Sequence, residues 1–177
     1  DENFSPEELG AVLKKINRGS SSLRGAYAAV KSHSVGSRAV ILALCNFCLR
    51  MGLMATSMTL REFNPIHKKD PRLVRSMDCI RPISLASDLA AVLDGLIRAR
   101  CHPAFHKFLG SVQSGGIYDA LAAVLTIILL AQLRLAAGLP LIMLFADLAH
   151  AFDDADRDDM LLAAFEAGVS GTLWLLL

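Results

Sequence analysis

The stretch "ALAAVLTIILLAQLRLAAGLPLIMLF", residues 120–145, constrains this chain more than any other. An apolar segment of that length either crosses a membrane or fills a core, and crossing takes about 20 consecutive apolar residues as one helix. Gln132 and Arg134 interrupt the run, and Gly138-Leu139-Pro140 combines a helix stop with a turn. The pattern therefore predicts a buried core helix of roughly 17 residues starting at Asp119, a separate strand and no membrane span. That strand, Leu141 to Phe145, is apolar without alternation, which describes a central strand covered on both faces. Asp147 follows it, where a carboxylate can emerge at the rim of a core without full desolvation.

The remaining pattern alternates helices and strands. In "SPEELGAVLKKINRG", Ser5 stands as N-cap, Pro6 at the first helical position, acids in the first turn, bases in the last and Gly19 as the stop. Leu9, Val12, Leu13 and Ile16 form one apolar stripe of that helix. "SSSLRGAYAAVKSHSVGS" is expected as a loop with room for one helical turn, and "RAVILALCNFCLRMG" as a helix ending at Gly52. "MTLREFNPIHKKD" and "MDCIRPISL" are expected as two strands of an antiparallel hairpin joined by a basic loop around Asp70-Pro71. Ser87 caps a helix with Leu89, Val92, Leu93 and Leu96 on one face, "SVQSGG" is a loop, and "DRDDMLLAAFEAG" is a last helix stopped by Gly168. No repeat or low-complexity tract interrupts this helix-rich α+β plan.

With 177 residues, 54% of them hydrophobic, the chain has the length of one domain and ample material for a core, which excludes a disordered chain. The net charge of +1 excludes a uniformly basic nucleic-acid coat, yet it conceals two opposed poles. Arg61, Lys68, Lys69, Arg72, Arg75 and Arg81 face only Glu62, Asp70 and Asp78 in the segment 61–81, a stretch suited to phosphates or to a solvated hairpin. Seven acids face Arg157 alone in 147–166. Among them Asp147 offers the hard oxygen that Mg²⁺ prefers, or else caps the next turn while the later acids solvate a helix start. A calcium loop at Asp154, Asp156 and Asp158 is excluded, because Asp159 replaces the turn glycine and Phe165 the bidentate glutamate.

Four cysteines, Cys45, Cys48, Cys79 and Cys101, are too few and too irregular for a secreted disulfide framework, so a reducing, intracellular compartment is expected. Cys45 and Cys48 lie in an apolar helix without a partner pair and are expected to be buried small hydrophobes. "CHPAFH" brings Cys101, His102 and His106 close in sequence, but it lacks a fourth ligand and Pro103 is expected to disturb the helix. The start "DENFSPEEL" has no signal-peptide character, and a chain without an initiator Met that stops in "LWLLL" is expected to be a fragment.

"FADLAHAFD" (Phe145, Asp147, Ala151, Phe152, Asp153) resembles the first catalytic motif of reverse transcriptases of the non-LTR retrotransposon type, F-x-D-x-x-K-A-F-D. Further pieces occur in that family's order: "FSPEEL", "FNPIHKKD" with Pro65, Ile66, Lys68 and Lys69, "IRPISLAS" from Arg81 to Ser87, and "SVQSGG" with Gln113 and Gly115. "DRDDMLLAAFEAGVSGTLWLLL" is similar to the R-x-x-L-x-x-x-L-x-x-x-G segment, so the resemblance extends from about Phe4 to Leu177. It implies part of a right-hand polymerase fold, with a fingers-like region over about 1–115, the start of the palm with its central strand over about 116–177, and the C-terminal part of the palm absent.

The activity implied is RNA-directed DNA polymerisation, in which a primer 3′-hydroxyl attacks an incoming deoxynucleoside triphosphate beside Mg²⁺ or Mn²⁺ on an RNA template. On the same resemblance Asp147 is catalytic and metal-binding, joined by the Leu148 carbonyl, and Phe152 packs under the sugar to exclude a 2′-hydroxyl. Lys68, Lys69 and Arg81 meet the triphosphate, and Arg61, Arg72, Arg75 and Gln113 meet the nucleic acid. The chain departs from the family at Arg24, Ala91 and His150, and has Gly115-Gly116 in a shortened loop, as a diverged copy would. The family's second aspartate box falls beyond position 177, so this chain alone is expected to be inactive. The other function class consistent with the residues is a non-catalytic relic, a helical module that binds nucleic acid or protein.

Overall fold

Ser5 starts the first helix as its sequence requires. In a computed structural model that describes residues 2–16, 34–67, 80–109, 120–147 and 154–177, the Ser5 hydroxyl accepts the Glu8 N–H at 3.2 Å. Glu8 in turn accepts the Ser5 N–H at 2.7 Å, completing a capping box at the head of α1 (Pro6–Lys15). Leu9, Val12 and Leu13 of the expected stripe are buried, but the helix stops at Lys15 with Ile16 as an extended cap, short of Gly19. The structure is helix-rich with one small antiparallel sheet, and it divides into a unit of residues 1–100 with 170–177 and a unit of residues 101–169.

In the first unit α2 (Val35–Met51) presents Ile41, Cys45, Cys48 and Leu49 to the core, a helical i, i+4, i+7, i+8 stripe. Gly52 ends it in the left-handed conformation at φ 62°, and the Leu53 N–H returns to the Cys48 carbonyl at 3.3 Å. A short helix, α3 (Thr56–Thr59), places buried Met58 against Cys48, with the sulfurs 3.9 Å apart. The expected hairpin follows: β1 (Arg61–His67) and β2 (Ile80–Ala86) pair antiparallel, Arg61 opposite Ala86 and His67 opposite Ile80. Ser87 then caps α4 (Asp88–Leu109), its hydroxyl accepting the Ala90 N–H at 3.2 Å.

Of the face expected on α4, Val92, Leu93 and Leu96 are buried, with Ala90 and Ile97 beside them. Asp88 is wholly buried at the first position, where the helix dipole favours a carboxylate; neither of its oxygens has a hydrogen-bond partner among the described residues. Gly95 lets α1 approach closely, since a Cβ there would lie 2.6 Å from Val12 Cγ1. Pro103 lies inside the helix, as the expected extent of Ser87 to Phe105 implies. It cannot donate to the Ala99 carbonyl, yet the helix runs on to Leu109. The sequence pattern also missed α7 (Gly171–Leu175), whose Leu175 Cδ1 stands 2.9 Å from where a Cβ on Gly52 would be.

In the second unit α5 is described over Ala120–Ala136, its expected start at Asp119 lying outside the described residues, and Gly138 at φ 64° stops it as expected. Its expected burial is corrected: no residue of α5 is buried, and Leu135 is 81% exposed. With 17 residues it is also too short to span, and among the described residues no helix is long and apolar enough to cross a membrane. The central strand expected at Leu141 to Phe145 is corrected as well. Residues 139–147 carry no regular structure, and Ile142 and Leu144 are more than nine-tenths exposed. A strand needs a ladder partner, and the two described strands are paired with each other. Asp156 caps α6 (Arg157–Glu166) through the Asp158 N–H at 2.8 Å, and Gly168 at φ 100° follows its end.

Two glycines in helix interiors should respond in opposite senses to alanine. Gly95→Ala drives a methyl into Val12 and should lower stability by about 1–3 kcal/mol. Gly10→Ala meets nothing within 4 Å and should raise it by about 0.4–1 kcal/mol. Urea unfolding of the two variants measures both signs. Glu8 provides a pH signature, because its hydrogen bond from Arg100 lowers its pKa below the ordinary 4.5. A lowered carboxylate contributes stability above its unfolded pKa and loses it as pH falls through the folded one. The gap between the native chain and Glu8→Gln should thus be full at neutral pH and close below about pH 4.5 in acid unfolding.

Candidate functional site

Asp147 is the residue on which the sequence places the chemistry, and its surroundings follow from the apolar run before it. Gly138 turns the chain out of α5, with the Leu139 N–H bonded to the Arg134 carbonyl at 3.0 Å, and residues 139–147 then carry Asp147 to an exposed position. Asp147 is exposed instead of emerging from the rim of a buried sheet. Among the described residues no group of three or more His, Cys, Asp or Glu side chains is gathered to hold a metal. One exposed carboxylate suits a Mg²⁺ ion that keeps most of its waters; it does not make a two-ion centre.

The basic pole is represented by the hairpin. Arg61 opens β1 and reaches Asp94 of α4 at 3.6 Å, both side chains being roughly half exposed. Partial burial pushes the Asp94 carboxyl above the usual range, and Arg61 pulls it back only in part. An exposed pair of this kind contributes about 0–1 kcal/mol, so Arg61 is lightly held by Asp94. The β1–β2 register sets Ile66 opposite Arg81 and Pro65 opposite Pro82. The ladder thereby joins the Pro65-Ile66 step to Arg81, residues far apart in sequence. The Arg81 side chain lies outside the described residues, as do Lys68, Lys69, Arg72, Arg75, Gln113, Leu148 and Phe152. Arg61 and Arg81 belong to the first unit and Asp147 to the second.

The strongest polar cluster is one the sequence did not single out. Arg100 forks onto Glu8 through Nε at 2.8 Å and Nη2 at 2.9 Å. It also donates to the Glu2 carbonyl, and to the Asn3 carbonyl at 2.8 Å. Its guanidinium carbon lies 4.4 Å from the Phe4 ring centroid, and Asn46 hydrogen-bonds both the N–H and the carbonyl of Phe4. These contacts span more than 40 positions in sequence and are structural, tying the N-terminal segment down without leaving an open site. The sole signal for them in sequence is an Arg and an Asn interrupting otherwise apolar helix faces.

Cys45 and Cys48 are buried as expected, and burial, aided by the neighbouring Cys48, pushes the Cys45 thiol up to about 12. Cys101, also buried, is raised by the same cause. His102 and His106 are exposed on α4 with ring centroids 6.0 Å apart. Compared with protein-family models, with curated proteins and with solved structures, the chain has no match.

Thiol accessibility checks the burial directly. In a Cys79→Ser background, Cys45, Cys48 and Cys101 should resist an aromatic disulfide reagent at pH 8 and all three should react once the chain is unfolded in guanidinium.

Proposed function

We propose that this chain is part of an RNA-directed DNA polymerase of the non-LTR retrotransposon type, whose complete domain transfers deoxynucleotides to a primer on an RNA template. The observation that carries the proposal is the ordered series of motifs ending in "FADLAHAFD", with Asp147 as its metal-binding carboxylate. The β1–β2 register supports it, because it sets two pieces of that series, around Ile66 and Arg81, opposite each other. The basic residues Lys68, Lys69, Arg72 and Arg75 lie in sequence between these two strands, and their charge suits phosphates.

In this reading each residue has a limited task. Lys68, Lys69 and Arg81 neutralise phosphate charge, Arg being able to do so bidentately. Arg61, Arg72, Arg75 and Gln113 steady the template, and the Phe152 ring excludes a 2′-hydroxyl. Mg²⁺ or Mn²⁺, held by Asp147 with the Leu148 carbonyl, would supply charge neutralisation at the reacting phosphate. The 177 residues contain only the first of the family's carboxylate boxes, so they should bind template–primer without extending it.

Two measurements test this. The chain should bind an RNA–DNA duplex with an affinity that falls with salt, and Lys68→Ala with Lys69→Ala together should reduce the log–log salt slope by about 2. Asp147→Ala should bind as well as the native chain or better, since it removes a negative charge. In a longer chain that includes a second aspartate pair, Asp147→Asn should abolish Mg²⁺-dependent primer extension. Persistent extension in that variant would refute the assignment of Asp147, and binding that ignores the lysines would refute the role of the basic segment.

A further inference from the structure

His102 and His106 are four residues apart on a helix that Pro103 does not interrupt, and its continuity sets what they can do. Along α4 they project from one face, since residues i and i+4 lie above one another. Their rings are 6.0 Å apart and tilted by 37°, and both side chains are exposed. Two imidazoles at this spacing are the pair that H-E-x-x-H helices present to a metal, with nitrogen–metal bonds of about 2.0–2.1 Å. We propose that His102 and His106 form a two-imidazole seat for a divalent transition-metal ion of the Cu²⁺, Ni²⁺ and Zn²⁺ class, which clamps the Pro103 turn of α4.

Ligand chemistry selects the ion. Imidazole favours these borderline metals over Mg²⁺ or Ca²⁺, and Cu²⁺ stands highest in the affinity order of the first-row divalent ions. Buried Cys101 is not available as a third donor, and no third His, Cys, Asp or Glu joins the pair among the described residues. The remaining positions are left to water or to donors outside the described residues. The seat is therefore distinct from the carboxylate chemistry assigned to Asp147 and stands whether or not that assignment holds.

The clamp follows from the proline. Pro103 cannot donate to the Ala99 carbonyl, and its ring disfavours helical geometry at His102, the residue before it. The bond missing from the helix is thus the one between residues 99 and 103, and His102 sits inside that span. A metal bridging residues 102 and 106 would tie the residue before the proline to the following turn. Once one imidazole is bound, the second acts at a high effective concentration, so the pair should bind far more tightly than either ring alone.

Titration of the full chain with Cu²⁺, followed by visible absorbance and by thermal melts in far-UV circular dichroism, tests both parts. One equivalent should bind and raise the melting temperature, and acid should displace it as protons compete for the ring nitrogens. His102→Ala and His106→Ala should each weaken binding about ten-fold or more, and the double variant should add little to either. A variant with His33, His67 and His150 all replaced by Ala should keep the tight equivalent. Single variants that bind like the native chain, or losses that multiply in the double variant, would mark independent surface imidazoles and overturn the seat. Tight binding without a rise in melting temperature would overturn the clamp.

Discussion

The docking of Phe4 is the constraint on which the first unit depends. Its ring is buried under the Arg100 guanidinium, and Asn46 satisfies its backbone N–H and carbonyl at once. That combination resolves a conflict. An N-terminal segment that buries an aromatic ring also buries peptide groups, and each unsatisfied one costs about 1–3 kcal/mol. Asn can satisfy one donor and one acceptor with a single amide, and so takes the place of a neighbouring strand. Arg100 adds a fork to Glu8, which is also half of the α1 capping box, so helix start and helix docking share one carboxylate. Disturbing Glu8 therefore acts on a local and a long-range interaction together, a coupling that pairwise additivity does not describe.

Features governed by near neighbours were legible in the sequence. Ser5 and Glu8, three residues apart, announced a cap; Gly52, Gly138 and Gly168 announced stops; Ser87 announced α4. The hairpin was legible too, since two segments of strand-like sequence flank a basic stretch with Asp70-Pro71. The features that failed were decided elsewhere in the chain. Nothing near Arg100 in sequence points to Glu8, 92 positions away, and nothing near Gly52 announces Leu175. A residue's propensity is a local quantity, and its partner is not.

The candidate site was legible as a motif but not as a place. Apolar content in α5 and in 139–147 implied burial, yet a hydrophobic residue is buried only where another surface covers it. These segments show apolarity without cover: Leu133, Leu135, Ile142, Leu144 and Phe145 are all mostly exposed. The helical pattern also gave no help, because a helix apolar on every side has no preferred face from which to read its packing.

The same fact bears on Asp147. On the strand that the sequence leads one to expect, Met143, Phe145 and Asp147 share one side and Ile142, Leu144 and Ala146 the other. Register on such a strand is fixed through its apolar residues, and a slip by one position would carry the carboxylate to the opposite face. Apolar packing would then position the charge, and among the described residues no strand supplies the ladder that such packing needs.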